Sequence, residues 1–495
     1  MTTSNLPVLL FVIPFVASLF AAGGGWLVRG AEKWVTLAAL ALTAALSLLA
    51  LPQVLASGSL HTHLGGWAPP IGIEVLLDPL SAFMAVVVSV VAFIVVAGAG
   101  PQIAEELHGR ETVWYATVLL LTSGLMGLVI TNDLFNLFVQ IEVVSLSAYA
   151  LVAAGGRGAP RAGLNYLIIG SMGASMYLIG AGFLFAATGS LNITDVAARL
   201  GEADPRLALS AGLLIVAGLG IKMALFPLHV WMPRAYAVSP TVSASLMAPL
   251  VTKVSAYALL RVIFWVFGAG TLVVEELLLH VIAWAGALAA LFGGVLAFLQ
   301  KDIRRLLAYS SVGQMGIVAL GIGIANTSGL TGAVLHIASD ALMKAVLFLA
   351  AGIALLRFGV RNVDELHLLR GRAPWTAAAM TVALLSLVGV PPLSGFFGKW
   401  YVLSAALIEG RWALAAALVI GSLATIGYSF RIIEKLYFTP VEADAAGPRE
   451  GQVPVVAACV VMAALLVVVG LSNDWIVRVL VLPGLPGMAA FGMVP

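Results

Sequence analysis

The chain has 495 residues, 61% of them hydrophobic and only 10% charged. Ordinary soluble domains carry roughly 25% charged residues, so a chain of this composition cannot cover itself with polar surface and belongs in a bilayer. Twenty-five Lys and Arg against 23 Asp and Glu leave a formal charge of +2, which excludes a basic field for nucleic acid and an acidic tail. The single cysteine, Cys459, excludes a disulfide framework and any iron–sulfur cluster held by this chain alone.

A membrane span needs about 20 apolar residues. The sequence predicts fourteen, at 6–23, 34–52, 76–99, 112–131, 134–154, 163–187, 208–231, 242–268, 275–299, 306–324, 331–356, 375–407, 412–435 and 453–473. The first has no basic segment ahead of it and reads as a retained helix, not a cleaved signal. The tail after Asn473 is apolar but short, interrupted by Pro483 and Pro486, and is expected to lie along the membrane surface. No hydrophilic stretch is long enough for a separate soluble catalytic domain.

Loop charges then give orientation. Loops after odd-numbered spans carry Arg29, Lys33, Arg110, Arg157, Arg161, Arg234, Lys301, Arg304, Arg305, Arg357, Arg361, Arg370, Arg372, Lys435 and Arg449, 15 in all. Loops after even-numbered spans carry three: Arg199, Arg206 and Arg411. The positive-inside rule predicts odd loops in the cytoplasm and both termini outside. An error of one span would scramble this split, so the asymmetry also supports the count.

Four of the seven lysines, Lys222, Lys253, Lys344 and Lys399, fall inside apolar spans, whereas nearly all 18 arginines sit in loops. A lysine at the membrane centre costs about 2.5–3.5 kcal/mol on insertion scales. Buried lysine, unlike arginine, can gain and lose a proton, so the distribution points to proton exchange more than to fixed charge. Glu142 lies inside the fifth span, with Ser145 and Tyr149 following on the same helical face; Asp133, Asn136 and Gln140 share a different face. The bland alternative is a glutamate that only ties two helices together. In the eleventh span His336, Asp340 and Lys344 recur every fourth residue, on one face over about 12 Å. They make a relay, or else an Asp340–Lys344 ion pair that only fixes packing. One cysteine and scattered histidines argue against zinc and haem, and no cofactor motif is present.

Two spans are broken. Pro227, Pro233 and Pro240 interrupt the seventh, where Lys222 precedes the first break and His229 lies within it. Pro391, Pro392 and Gly395 interrupt the twelfth, just before Lys399. Irregular backbone at membrane depth is tolerated only against protein or a wet cavity, and ionisable residues beside such breaks mark ion sites in transporters. A kink that merely packs around a neighbour is the alternative for either break alone. The breaks are five spans apart. An odd offset reverses direction, as in an inverted repeat pairing spans 4–8 with spans 9–13. Thin internal matches agree: 170–182 with 338–352, where Met176 stands opposite Lys344, and the surroundings of Tyr149 with those of Tyr309. The predicted fold class is an all-α polytopic membrane protein. Its division is an N-terminal three-helix segment (1–111), a first repeat (112–268), a second repeat (269–435), and a last helix with apolar tail (436–495).

Three stretches carry a resemblance: NDLFNLFVQIE around Glu142, IKMALFPLHVWMPRAYAVSPTVSASLMAPLVTKVSAYALLR around Lys222 and Lys253, and KDIRRLLAYSSVGQMG at 301–316. Over roughly 70–435 the chain resembles the antiporter-like subunits shared by respiratory complex I, membrane-bound hydrogenases and Mrp-type Na+/H+ antiporters. The resemblance implies a fourteen-helix bundle of two inverted repeats and a central hydrophilic axis. On that axis Glu142 and Lys222 would form a coupled pair, Lys253 would stand between two half-channels, His336 and Lys344 would connect onward, and Lys399 would end the path. Asp340, Asp133 and His229 are accessory candidates. Asp340 departs from the family, standing where several members carry histidine or an uncharged residue.

Within the family, LFNLFV, Lys399 and LFLAAG resemble the D subunit of an Mrp-type antiporter. The implied function is proton movement within a multisubunit monovalent cation/proton antiporter of the cell membrane. The alternative is a proton-pumping subunit of complex I or a hydrogenase. The implied partners are other membrane subunits, protons and, through another subunit, Na+. Two readings of other classes stand beside these: a scaffold whose polar axis is a relic, and a free-standing transporter binding a small substrate at mid-membrane.

Overall fold

The computed structural model describes residues 2–3, 5–28, 30–268, 272–440, 450 and 453–485. Arg29, Arg449 and the end of the tail, 486–495, lie outside the described residues. Among those described, thirteen helices are long and apolar enough to cross a membrane. They are α1 (Leu6–Leu27), α2 (Ala31–Ser57), α3 (Pro79–Gly98), α4 (Glu111–Ile130), α5 (Leu134–Ala153), α6 (Ala159–Thr188), the first half of α7 (Pro205–Lys222), α8 (Thr241–Val262, continued by a wider turn to Phe267), α9 (Leu272–Phe298), α10 (Ile303–Ile324), α11 (Thr327–Phe358), α13 (Trp412–Tyr437) and α14 (Val453–Leu471). The twelfth span is two shorter helices, Pro374–Val388 and Ser394–Ile408, here the two halves of α12. Fourteen spans are therefore present in the predicted order, with breaks in the seventh and twelfth.

Helix ends follow local chemistry. Asp78 caps α3 by accepting from the Ser81 amide at 2.8 Å, with the proline that needs no donor at the first helical position. Asn326 caps α11 through the Gly329 amide in the same way. The first half of α12 stops at Gly389, whose φ of 96° is a left-handed conformation open to glycine.

The break in α7 spans 223–231, after which a short helix, Met232–Val238, completes the crossing. It leaves carbonyls without helical partners, and the Trp231 indole satisfies one of them by donating to Ile221 O at 2.9 Å. In α12 the carbonyls freed at the break, Leu387 O and Val388 O, accept instead from Lys399 Nζ, at 2.6 and 3.3 Å. The two breaks thus end differently: one is closed by an aromatic donor, the other by a lysine.

The repeat has a local structural mark. Ahead of α5, Leu134 N donates to Leu191 O and Ile193 N to Asn132 O, closing an Asp133–Asn192 bridge across the far end of α6. Ahead of α10, Ile303 N donates to Arg361 O and Val363 N to Lys301 O, closing an Asp302–Asn362 bridge across the far end of α11. The same two-bond clasp, built on aspartate and asparagine, recurs five spans apart.

α8, α10 and α11 are the buried centre, while α1, α2, α6 and α14 expose much of their surface. Two features were not predicted. A three-stranded sheet joins Thr2–Thr3, ahead of α1, to Leu60–His63 and Glu74–Leu77 between α2 and α3, the last two strands antiparallel with His63 opposite Glu74. The tail after Asn473 also differs from the surface-lying segment expected. Its described part, to Leu485, continues in helical turns that bury Val477, Leu480 and Val481 and bring Gly484 against Leu80 of α3. Apolar side chains at this spacing find protein to cover them.

Candidate functional site: a buried line of ionisable side chains

The first cluster lies between α5 and the break of α7. Lys222 ends the first half of α7, where helix carbonyls favour a cation. Its Nζ donates to Ser145 Oγ at 2.7 Å and to Tyr149 OH at 3.3 Å, and lies 3.9 Å from Glu142 Oε1. Lys222 is buried, whereas the Glu142 side chain is 29% exposed. Ser145 and Tyr149, one and two turns along α5 from Glu142, thus hold the lysine more closely than the carboxylate does. That is the geometry of a pair that can open without stranding the ammonium group.

The second cluster is the interior of the bundle. Lys253 of α8 and Asp340 of α11 are both sealed from solvent and meet at 2.6 Å, Nζ to Oδ2. Lys253 Nζ also donates to Ala248 O at 2.9 Å, while Asp340 Oδ1 has no hydrogen-bond partner. An i, i+4 pair of Asp340 with Lys344 does not form. Lys344 Nζ turns to α10 and donates to Ser310 Oγ at 2.6 Å and Leu307 O at 3.3 Å, and Ser310 Oγ in turn meets Tyr428 OH of α13 at 2.8 Å. His336 Nε2 meets Gln314 Oε1 of α10 at 2.9 Å, leaving Nδ1 unpartnered. Asp340 interacts electrostatically with Lys253, Lys344 and His336, and Lys399 with Asp340. Of these groups only Lys253 touches the Asp340 carboxylate; Lys344, His336 and Lys399 bond to other partners and act on it at longer range. In a medium of low dielectric constant, a proton gained at one of these sites repels the proton at the next.

Lys399, in the second half of α12, ends the line. Besides capping Leu387 and Val388, it lines a surface cleft of about 240 Å³ with Gly389, Phe396, Trp400 and Ser422. The accessory candidates separate. Asp340 is central. His229 is buried in the α7 break, stacked on Phe226 with ring centroids 5.3 Å apart and facing Tyr309 of α10 edge-on at 6.0 Å. Asp133 accepts from the Asn136 amide at 2.7 Å and caps α5, away from the lysines.

No group of three or more His, Cys, Asp or Glu that could hold a metal ion occurs among the described residues.

Comparison with known proteins fits this geometry. Residues 131–425, which contain every lysine of the line, match the family described as NADH:quinone oxidoreductase/Mrp antiporter, transmembrane. The chain belongs to that family. It is 40% identical to NADH-quinone oxidoreductase subunit N of Desulforudis audaxviator over 98% of this chain and 99% of that one. It is 32% identical to antiporter subunit mnhD2 of Staphylococcus aureus over 88% and 86%. Among solved structures it is similar to a chain of the membrane-bound sulfane sulfur reductase, an archaeal respiratory membrane complex, with a TM-score of 0.90, 27% identity and 99% and 98% coverage. It is also similar to a chain of the Mrp complex from Dietzia sp., with a TM-score of 0.85, 25% identity and 99% and 97% coverage.

In family terms, the chain is a multi-pass membrane protein of the antiporter-like kind. Sequence reasoning missed several of its polar partners. Ser310 and Gln314 are one turn apart on α10 and supply oxygens to Lys344 and His336; their i, i+4 spacing in a span was the available signal. Tyr428 of α13 lies one turn from the buried Thr425 and beside the buried Ser429, a fainter signal of the same kind. Also missed was Glu74, which accepts from Asn132 Nδ2 at 2.8 Å and Asn192 Nδ2 at 2.9 Å and meets His61 Nδ1 at 2.7 Å. It ties the sheet to the Asp133–Asn192 clasp.

Proposed function

We propose that this chain moves protons across the membrane along the line Glu142, Lys222, Lys253, His336, Lys344 and Lys399, as one membrane subunit of a multisubunit complex, with both termini outside. The observation that carries this reading is the Lys253–Asp340 pair, buried at 2.6 Å, with Lys344 buried one turn further along the same helix as Asp340. Ionisable groups are kept inside a membrane protein at a cost that packing alone does not require.

The chain of events follows from the clusters. While Glu142 stays near Lys222, it holds a proton there. When the two separate, the proton passes toward Lys253, and repulsion between neighbouring charges drives another on through Lys344 to Lys399. Clusters on different helices need water between them to exchange protons. Glu142→Ala or Lys222→Ala should abolish proton movement in proteoliposomes carrying the whole complex, with assembly unchanged. Wild-type rates in either variant would refute the path and favour a scaffold.

Two parent complexes have support. Exchange of a monovalent cation for protons, with the cation handled by another subunit, is supported by the Staphylococcus relative and the Dietzia complex. Redox-driven pumping is supported by the higher identity to subunit N and the higher TM-score to the respiratory complex, and that identity gives it the greater weight. Purification of the native complex with subunit identification and an electron paramagnetic resonance scan separates them. Iron–sulfur signals with soluble redox subunits mean redox drive. A silent spectrum with small membrane partners means cation exchange.

A further inference from the structure

A cavity of about 190 Å³ lies away from the lysine line, among the end of α5, the short second half of α7, the start of α10 and the end of α11. Its polar lining is Arg157, Arg304 and Arg361; Leu355 and Val360 form apolar wall. Every loop that contributes follows an odd-numbered span, so the cavity sits on the arginine-rich side of the bundle. Arg304 is buried, its Nη2 donating to Ser239 O at 2.5 Å and Ser239 Oγ at 3.3 Å. Arg361 Nε donates to Asp302 Oδ2 at 2.7 Å, and Glu106, between α3 and α4, accepts from Thr241 at the start of α8 and acts on Arg304. Around these three guanidinium groups stand the carboxylates of Asp302, Glu106 and Glu365, the last accepting from the Arg361 amide at 3.1 Å. Arg157 is exposed and makes no ion pair among the described residues, which leaves its charge free for a ligand. The short α7 helix that lines the cavity with Ala237 and Val238 also lines, through Arg234, a groove of about 280 Å³ against Ile168 and Ile169 of α6.

We infer that this cavity binds the phosphate of an anionic phospholipid, with an acyl chain along the α6 groove. Guanidinium groups match phosphate oxygens in pairs. Basic pockets between spans on the cytoplasmic side are where anionic head groups are recognised. A fixed Arg304 with a free Arg157 gives one preset donor and one that closes over the ligand. Bound lipid would brace the second half of α7 against α10 and α11, on whose packing the lysine line depends.

The test is native mass spectrometry of the delipidated full chain titrated with phosphatidylglycerol, phosphatidylcholine or inorganic phosphate. One phosphatidylglycerol should bind at least ten-fold more tightly than phosphatidylcholine. The double variant Arg157→Gln, Arg361→Gln should lose that preference, while Arg157→Lys, Arg361→Lys keeps most of it. The variants avoid Arg304, whose bonds to Ser239 hold the fold, and their melting temperatures check that they are folded. Equal binding of the two lipids, or an unchanged preference in the glutamine variant, would overturn the inference. Displacement of the lipid by inorganic phosphate at matching concentration would overturn the lipid assignment in favour of a free anion.

Discussion

Lys253 and Asp340 meet at 2.6 Å from different helices, one 1% exposed and the other fully sealed. Removing one partner of a buried ion pair costs roughly 3–5 kcal/mol, because the other charge is left uncompensated. Asp340→Asn should therefore lower the melting temperature of the detergent-solubilised chain markedly. Adding Lys253→Met should restore much of it, since the stranded ammonium is then gone. A double variant no more stable than Asp340→Asn would show that the pair is not coupled as described.

Lys222 is held by Ser145 and Tyr149 more closely than by Glu142. Ser145→Ala and Tyr149→Phe should each slow proton movement several-fold, and the double variant by ten-fold or more, because the ammonium then has only the distant carboxylate. Rates in proteoliposomes carrying the whole complex decide this. A double variant at the wild-type rate would place the pathway elsewhere.

Ser310 joins Lys344 to Tyr428. Ser310→Ala removes the lysine's nearest oxygen and should reduce transport about ten-fold. Tyr428→Phe leaves that oxygen in place and should cost no more than two- to three-fold. The reverse order would mean that Tyr428, and not Lys344, accepts the proton in this part of the line.

Glu74 gives an acid limit outside the membrane. Burial raises its pKa, but hydrogen bonds from His61, Asn132 and Asn192 and the charge of His61 outweigh this and hold it below the ordinary glutamate value. A carboxyl depressed in the folded state contributes stability in full above its unfolded pKa, about 4.3. It loses that contribution as pH falls through the lower folded value. Wild-type melting temperature should thus fall steeply below about pH 4.3, and Glu74→Gln should be less stable at neutral pH with a flatter acid limb. Parallel curves for the two proteins would remove Glu74 from the acid response.

The spans, their breaks and the lysines were legible because each rests on chemistry local in sequence: apolar run length, missing amide donors at proline, and charge out of place. The pairing of those charges was not. Asp340 and Lys344 share a helical face, yet Asp340 bonds to α8 and Lys344 to α10, because neighbours set by helix packing offer shorter contacts than one turn of the same helix. The repeat was legible only faintly in 170–182 and 338–352. Its clearer structural mark is the Asp133–Asn192 and Asp302–Asn362 clasps, where short sequence identities gain meaning from which loops adjoin. Glu74 was hidden for a related reason: its partners lie 13, 58 and 118 residues away.

The most direct test of proton transport along this line is the proton flux of proteoliposomes carrying the intact complex with Asp340→Asn, assembly being confirmed by subunit recovery. Asp340 holds Lys253, the middle lysine of the line, so the flux should fall at least ten-fold. Wild-type flux in an assembled Asp340→Asn complex would contradict the account and leave the buried pair a packing element.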